Sequence, residues 1–500
     1  DGKIESDDDL HVDIFNQTIF NENIDQFCEL LRTEFSDPEA RNAAALAIKE
    51  AWLKYGVSDW GGGERAMYLM SKYPKDDTYI PPYTGTWEAG NVFHWCTEAY
   101  IENETIGMNL PGMPQSAAKL GNLMGSVTGD GESLILAEFW SAMYSEAFFE
   151  DSSVELLRKV ADGIIPKNSW IYNIYQKCEE LYQKYPDEAP LNDNEVANWR
   201  LAVNELGVMA KDYYDIDDLG CTPDINFGLA VLAFLYGNND YDTTGRLSGV
   251  MGADSDCYTA AVLGVMGIIK GMDGTPDIVK ERIYQDGEGL YVNDKTFTPH
   301  IMNDYPEQQK ITDIVKLYQQ NAESFIVANG GSIHNGVYII NSEAALRPET
   351  VIIDNSDFES GILDNWTGDL KQGAATLAET VGVYNPEDTT SYVKTIANSG
   401  AYRGTVRLTE ETGEGSLYLK LDHLEANTLY KATAYIAGEN TVVQLFAEGD
   451  DRESKKIIPA VNSEIPDDYP GSKTGWYLRE VYFTTHNGKA DVGIMVDMAK

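Results

Sequence analysis

Basic residues are scarce in this 500-residue chain: 37 Lys and Arg stand against 81 Asp and Glu, for a formal net charge of -44. Such a surface repels nucleic-acid phosphates and anionic membranes, which sets both aside as partners. Most of that charge reads as serving solubility. Cysteine is also sparse. Cys28, Cys96, Cys178, Cys221 and Cys257 are scattered, odd in number and without a Cys-x-x-Cys pair. Neither a disulfide framework nor a structural zinc site is indicated. No apolar run is long enough to span a bilayer, so no transmembrane segment is expected. There is no phosphate loop, dinucleotide fingerprint or Ser-His-Asp grouping. The histidines His11, His94, His300 and His334 show no metal spacing.

What is present describes a globular chain, with 43% hydrophobic and 11% aromatic residues. Its length exceeds one ordinary core, so at least two domains are expected. Residues 1–345 read as helices. Ser133–Phe149 repeats apolar residues at three- and four-residue steps, Asn226–Tyr236 is almost wholly apolar before Gly237, and Cys257–Met272 carries glycines at 264, 267 and 271. Val154–Ile165 and Glu195–Ala210 read as more exposed helices. The texture changes near Arg347-Pro348. Ser416–Leu421, Leu429–Ile436, Val442–Phe446 and Tyr477–Thr485 read as strands, and Asn487-Gly488 as a hairpin turn. Residues 350–500 are therefore expected to form an all-β sandwich.

Two acidic clusters precede apolar helical runs: Ser6-Asp7-Asp8-Asp9 and Asp254-Ser255-Asp256. Carboxylates and hydroxyls are the ligands of hard divalent cations. Asp and Ser are equally the residues that cap helices, and each cluster alone reads more simply as a cap. If the two tips face each other, four or five carboxylates meet, and a bound cation relieves the crowding.

The segment Gly252-Ala253-Asp254-Ser255-Asp256-Cys257-Tyr258-Thr259-Ala260-Ala261 resembles the signature of the ADP-ribosylglycohydrolase family, and Ser6-Asp7-Asp8 resembles its N-terminal metal cluster. Ile101-Glu102-Asn103-Glu104-Thr105-Ile106-Gly107, followed by Leu110-Pro111-Gly112-Met113-Pro114, is similar to a bacterial branch of that family. The resemblance covers about residues 1–340. It implies an all-α catalytic domain binding one or two ions of magnesium, with manganese or calcium as alternatives. It assigns Ser6, Asp7, Asp8, Asp254, Asp256 and Cys257 as metal ligands. Asp254 and Asp256 are the candidate catalytic residues, one or the other serving as ligand and proton acceptor for a metal-bound water, and Glu102, Glu104 and Asp130 are candidate substrate contacts. Cys257 stands where the family usually has threonine, and Asp9 replaces a usual threonine. The family's acidic helix upstream of the first ligands has no counterpart here, so a preceding segment is expected.

Asn355–Gly361 with Asn365-Trp366-Thr367 resembles the opening of jelly-roll carbohydrate-binding modules, with Trp366, Trp476, Tyr418 and Tyr435 as possible sugar platforms. The expected function is a secreted or cell-surface, metal-dependent glycoside hydrolase acting on a ribose-like or furanoside sugar in a glycan. Hydrolysis of ADP-ribosyl linkages is the alternative within the family. A catalytically inactive sugar-binding protein is the rival from outside it.

Overall fold

The computed structural model describes residues 3–5, 8–56, 61–86, 89–167, 169–186, 197–214, 220–284, 289–293 and 302–346. Beyond these it describes 365–371, 375–378, 405–408, 414–426, 428–436, 442–449, 456–459, 477–485 and 487–497. The chain divides into two compact units, Asp1–Val208 with Asp218–Pro348, and Met209–Asp217 with Glu349–Lys500.

The first unit is mainly helical. Its helices are α1 Asp8–Glu22, α2 Ile24–Arg32, α3 Pro38–Tyr55, α4 Gly62–Lys72, α5 Glu98–Ile101, α6 Pro114–Gly125, α7 Glu132–Glu146 and α8 Ser153–Ile164. They continue with α9 Trp170–Lys184, α10 Asn198–Tyr214, α11 Pro223–Gly237, α12 Tyr241–Val250, α13 Ser255–Gly274, α14 Asp277–Ile283 and α15 Ile311–Ala328. A three-stranded sheet sets the start of α1. Strand β1 (Lys3–Glu5) pairs in parallel with β2 (Leu290–Val292), which pairs antiparallel with β3 (Gln308–Lys310). The helix that follows β1 is thereby anchored to chain nearly 300 residues away.

Helices α7 and α11 lie at the centre. Every residue of α7 from Ser133 to Glu146 is buried, and so is all of α11. An amphipathic stripe is absent because both have neighbours on all sides. Phe139 of α7 meets Phe227 of α11 edge-on at 5.1 Å, and Trp140 packs at 6.3 Å from Phe234. Full burial of side chains this size contributes about 1.5–3 kcal/mol each.

The glycines of this region act by allowing close approach. A Cβ on Gly264 of α13 would fall on the Tyr144 hydroxyl of α7, whereas Gly267 and Gly271 face open space. Gly271 instead breaks the helix, with φ 62° and ψ -178°. Gly237 is not the left-handed stop of α11: that residue is Asn238 at φ 48°, and Gly237 makes room for Thr244 of α12. Asp240 then caps α12, its carboxylate accepting from Thr243 N–H at 2.8 Å. Asp240→Ala is expected to lower stability by about 1 kcal/mol in urea denaturation.

In the second unit, β9 (Glu414–Leu421), β11 (Val442–Gly449), β12 (Lys456–Pro459), β14 (Ala490–Asp497) and β6 (Trp366–Lys371) form one antiparallel sheet in the order β12-β11-β14-β9-β6. Strands β10 (Thr428–Ile436) and β13 (Tyr477–Thr485) form a separate ladder, as do β7 (Ala375–Ala378) and β8 (Thr405–Leu408). In the first unit, β4 (Ser332–His334) and β5 (Val337–Ile339) form a small hairpin. The C-terminal region is thus β-structured, but its described strands do not make up a sandwich of two full sheets.

The expectation of a hairpin at Asn487-Gly488 is corrected. Strand β13 pairs with β10, while β14 pairs with β11 and β9. Gly488, at φ 81°, accepts from Leu424 N–H at 3.0 Å, and this link carries the chain from one ladder to the other sheet. Leu419, Leu421, Leu445 and Ala490 of the five-stranded sheet share an apolar cluster with Ile436, Val481 and Phe483.

Candidate metal centre

The N-terminus of α13 carries the second acidic cluster. Asp254 occupies the capping position, yet its side chain makes no capping hydrogen bond. It is held from two other directions. The Thr97 hydroxyl donates to Asp254 Oδ2 at 3.3 Å, and Asp254 N–H donates to Asn226 Oδ1 at 3.0 Å. Asn226 is fully buried in the first turn of α11, where its amide donates to Gly220 O at 2.7 Å and Thr222 O at 2.8 Å. Every polar atom of the Asn226 side chain is therefore committed, which fixes the backbone ahead of α13. Asp254 is thus aimed away from the helix end, toward Thr97.

Asp254, Asp256 and Cys257 each bring one ligand-type atom within 4.8 Å of the others. Asp254 is half-buried, and Asp256 is exposed. Burial pushes the Asp254 carboxyl above the usual range and the Asp256 charge adds to this, while hydrogen bonds from Cys257 and Thr97 pull it back. Cys257 Sγ lies 3.1 Å from Asp9 Oδ2. Burial, then the charges of Asp9 and Asp254, hold this thiol far above its ordinary range, so it is a protonated donor between two carboxylates.

That contact joins positions 248 apart in sequence and brings the first turn of α1 to the tip of α13. Of the first cluster, Ser6 and Asp7 lie outside the described residues. Asp8 is the first residue of α1, and its side chain lies outside them too. Asp9 is the member seen to meet the second cluster. Tyr100 is fully buried on α5: burial, then Asp254, Cys257, Glu104 and Asp9, raise its hydroxyl, which has no hydrogen-bond partner among the described residues.

The three candidate substrate contacts are placed differently from one another. Glu102 is fully buried, and its carbonyl accepts from Asn16 of α1 at 2.9 Å. Glu104 is 4% exposed, in the 3₁₀ turn Glu104–Asn109. Asp130 is half-buried; its N–H donates to His94 O at 2.8 Å, and its carboxylate accepts from Gly131 N–H at 2.8 Å. Gly131, not Asp130, holds the capping position of α7. Glu102 and Glu104 belong to the packed interior.

Thr97, Asn226 and Tyr100 were not singled out in the sequence. For Asn226 a signal exists, because an amide opening an otherwise apolar helix demands buried partners. Thr97 and Tyr100 carry no such mark.

No family model matches the chain, and no curated protein matches it. Among solved structures it is similar to the enzymatically active domain of tailspike protein 4 of bacteriophage CBA120, at 10% identity over 29% of this chain and 19% of that one, with a TM-score of 0.21. The chain thus spans under a fifth of that domain.

The donor set suits a hard cation. Asp254 and Asp256 offer carboxylate oxygens, which magnesium, manganese or calcium prefer, Asp9 brings a third carboxylate against Cys257, and no histidine belongs to the described group. The Cys257 thiol is the soft member of the group and also contacts Asp9 Oδ2 at 3.1 Å.

Proposed function

We propose that this protein is a divalent-metal-dependent hydrolase of glycosidic bonds with the chemistry of the ADP-ribosylglycohydrolase family, acting on a ribose-like or furanoside sugar of a glycan. The observation that supports the reading is the 3.1 Å contact between Cys257 Sγ and Asp9 Oδ2, which brings a carboxylate from the first turn of α1 to the tip of α13 that carries Asp254 and Asp256. Asp9, Asp254 and Asp256 would hold the ion, with Ser6, Asp7 and Asp8 completing the set by resemblance. Bound there, a divalent cation orients vicinal sugar hydroxyls and acidifies water.

The chain's own groups do the rest. Asn226 and Thr97 fix Asp254, so that it cannot swing back to cap α13. Burial raises Asp254 toward the range in which a carboxylate accepts a proton effectively. Asp256, which is exposed, would receive the proton of an attacking water. A furanoside fits the strongly negative chain better than ADP-ribose does, because a diphosphate is repelled by a net charge of -44. The C-terminal β region is proposed to bind sugar. Tyr418 there lies 6.0 Å from Phe446, and Trp366 is half-buried against the apolar cluster; Trp476 and the Tyr435 side chain lie outside the described residues.

The test is a hydrolysis screen of ADP-ribosyl compounds beside furanosyl glycans, with and without chelator. Turnover of a furanoside that vanishes on chelation and returns with magnesium or manganese is expected. Release of ADP-ribose alone would move the substrate assignment. Glycan binding without turnover by the parent chain would favour an inactive sugar-binding protein.

A further inference from the structure

One helical turn beyond Asp9, α1 carries Asp13 on the same face. Asp13 is 6% exposed, and its Oδ1 accepts from the Thr105 hydroxyl at 2.7 Å. Thr105 is also 2.9 Å from the Tyr318 hydroxyl of α15. The residue before Thr105 is Glu104, whose Oε2 is buried and has no hydrogen-bond partner among the described residues. Asn16, a further turn along α1, donates to Glu102 O and to Asn103 Oδ1, at 2.9 Å and 3.0 Å. The helix and the 3₁₀ turn are therefore fastened on both sides of the two carboxylates.

Among the described residues, no lysine or arginine pairs with either acid. Burial pushes Asp13 up to about 7, Thr105 pulling the other way. Burial, then the charge of Asp13 and then that of Asp9, push Glu104 well above its usual range. Two buried carboxylates brought into one neighbourhood through Thr105 are costly unless a proton or a cation sits with them. The Thr105 hydroxyl adds a third oxygen beside Asp13. An all-oxygen set is what a hard cation takes.

We propose that Asp13 and Glu104, whose Oε2 has no hydrogen-bond partner among the described residues, form with Thr105 an inner divalent-cation site that ties α1 to the Glu104–Asn109 turn. It is separate from the Asp254–Asp256–Cys257 cluster and independent of the hydrolase reading, because its readout is ion binding and not turnover. Its function is to hold α1 at the angle that delivers Asp9 to the tip of α13.

The full chain, stripped by chelator, is equilibrated with low-micromolar manganese or calcium in physiological salt, and bound metal is measured. Asp256→Asn disables the outer cluster and is expected to keep the inner ion. Glu104→Gln keeps the shape of the side chain and is expected to bind one ion fewer than the parent. The double variant is expected to bind none above background. In Asp256→Asn, chelation is expected to lower the melting temperature by a few degrees, a measurement that stands even if Glu104→Gln fails to fold. Parent stoichiometry in Glu104→Gln overturns the proposal, as does chelation that leaves the melting of Asp256→Asn unchanged. A Glu104→Gln chain that melts above the parent and ignores chelator would show the two acids sharing a proton instead.

Discussion

Replacing Asp254 by asparagine is expected to cost roughly a thousandfold in kcat/KM, about 4 kcal/mol of barrier, while the melting temperature stays level or rises. The two halves of this result come from different atoms. Asparagine still offers an oxygen to the Thr97 hydroxyl, and the backbone N–H still donates to Asn226, so the entry to α13 keeps its hydrogen bonds. The substitution removes a charge that burial and Asp256 both oppose in the folded chain. Folding is relieved by the loss, and only a charge-requiring ligand suffers. An ordinary capping aspartate behaves in the opposite way: its removal lowers stability by about 1 kcal/mol and leaves turnover alone. Kinetics on a substrate that the parent chain hydrolyses, set beside thermal melts of both chains, separate the two cases. A variant that melts lower with full activity would return Asp254 to the rank of a helix cap. A trade of stability for function is expected where an acidic site is assembled without a basic partner.

Much of the architecture was legible because long apolar periodicity survives any tertiary context. The runs at Ser133–Phe149, Asn226–Tyr236 and Cys257–Met272 coincide with α7, α11 and α13 to within a few residues, and four alternating segments fall on β9, β10, β11 and β13. Strand pairing was not legible. Asn487-Gly488 has the local chemistry of a tight turn, but β13 finds β10 and β14 finds β9 and β11, a choice made by the apolar cluster that Val481 and Ala490 enter from different ladders.

The site divides along the same line. Asp254, Asp256 and Cys257 are close in sequence, so their grouping follows from local geometry. The arrival of Asp9 at Cys257 depends on how α1 is pinned by β1 at one end and by Asn16 and Asp13 along its length, and no local pattern encodes that. Glu102 and Glu104 are candidate substrate contacts in the sequence because their segment is similar to a bacterial branch of the family. Their burial behind α1 is decided by side chains from other elements.

Stability is expected to fall as pH rises from 5 to 8, and Asp224→Asn is expected to remove roughly 2–3 kcal/mol of that fall. Asp224 is fully buried in the first turn of α11, two residues before the Asn226 that fixes Asp254. Its Oδ2 accepts from Trp170 Nε1 at 2.9 Å and its Oδ1 from Ile225 N–H at 2.7 Å. Burial nevertheless dominates and pushes the carboxyl from 3.8 to about 7, against the hydrogen bonds from Trp170, Ile225 and Thr222 and with help from the Glu132 charge. An acid whose folded pKa exceeds its unfolded value favours folding in its protonated form. That contribution is complete below about pH 4, shrinks as the unfolded chain ionises, and is gone once pH passes about 7. Asparagine does not titrate, so the variant lacks this slope while every other titrating group, Asp13 and Glu104 included, remains common to both chains. Urea denaturation of parent and variant at pH 5 and pH 8 gives the double difference directly. The variant, with one acceptor in place of two, is expected to be the less stable chain at pH 5 and to close or reverse the gap at pH 8. Parallel curves across that range would mean that Asp224 stays ionised in the folded chain, with the Trp170 and Ile225 donors outweighing burial.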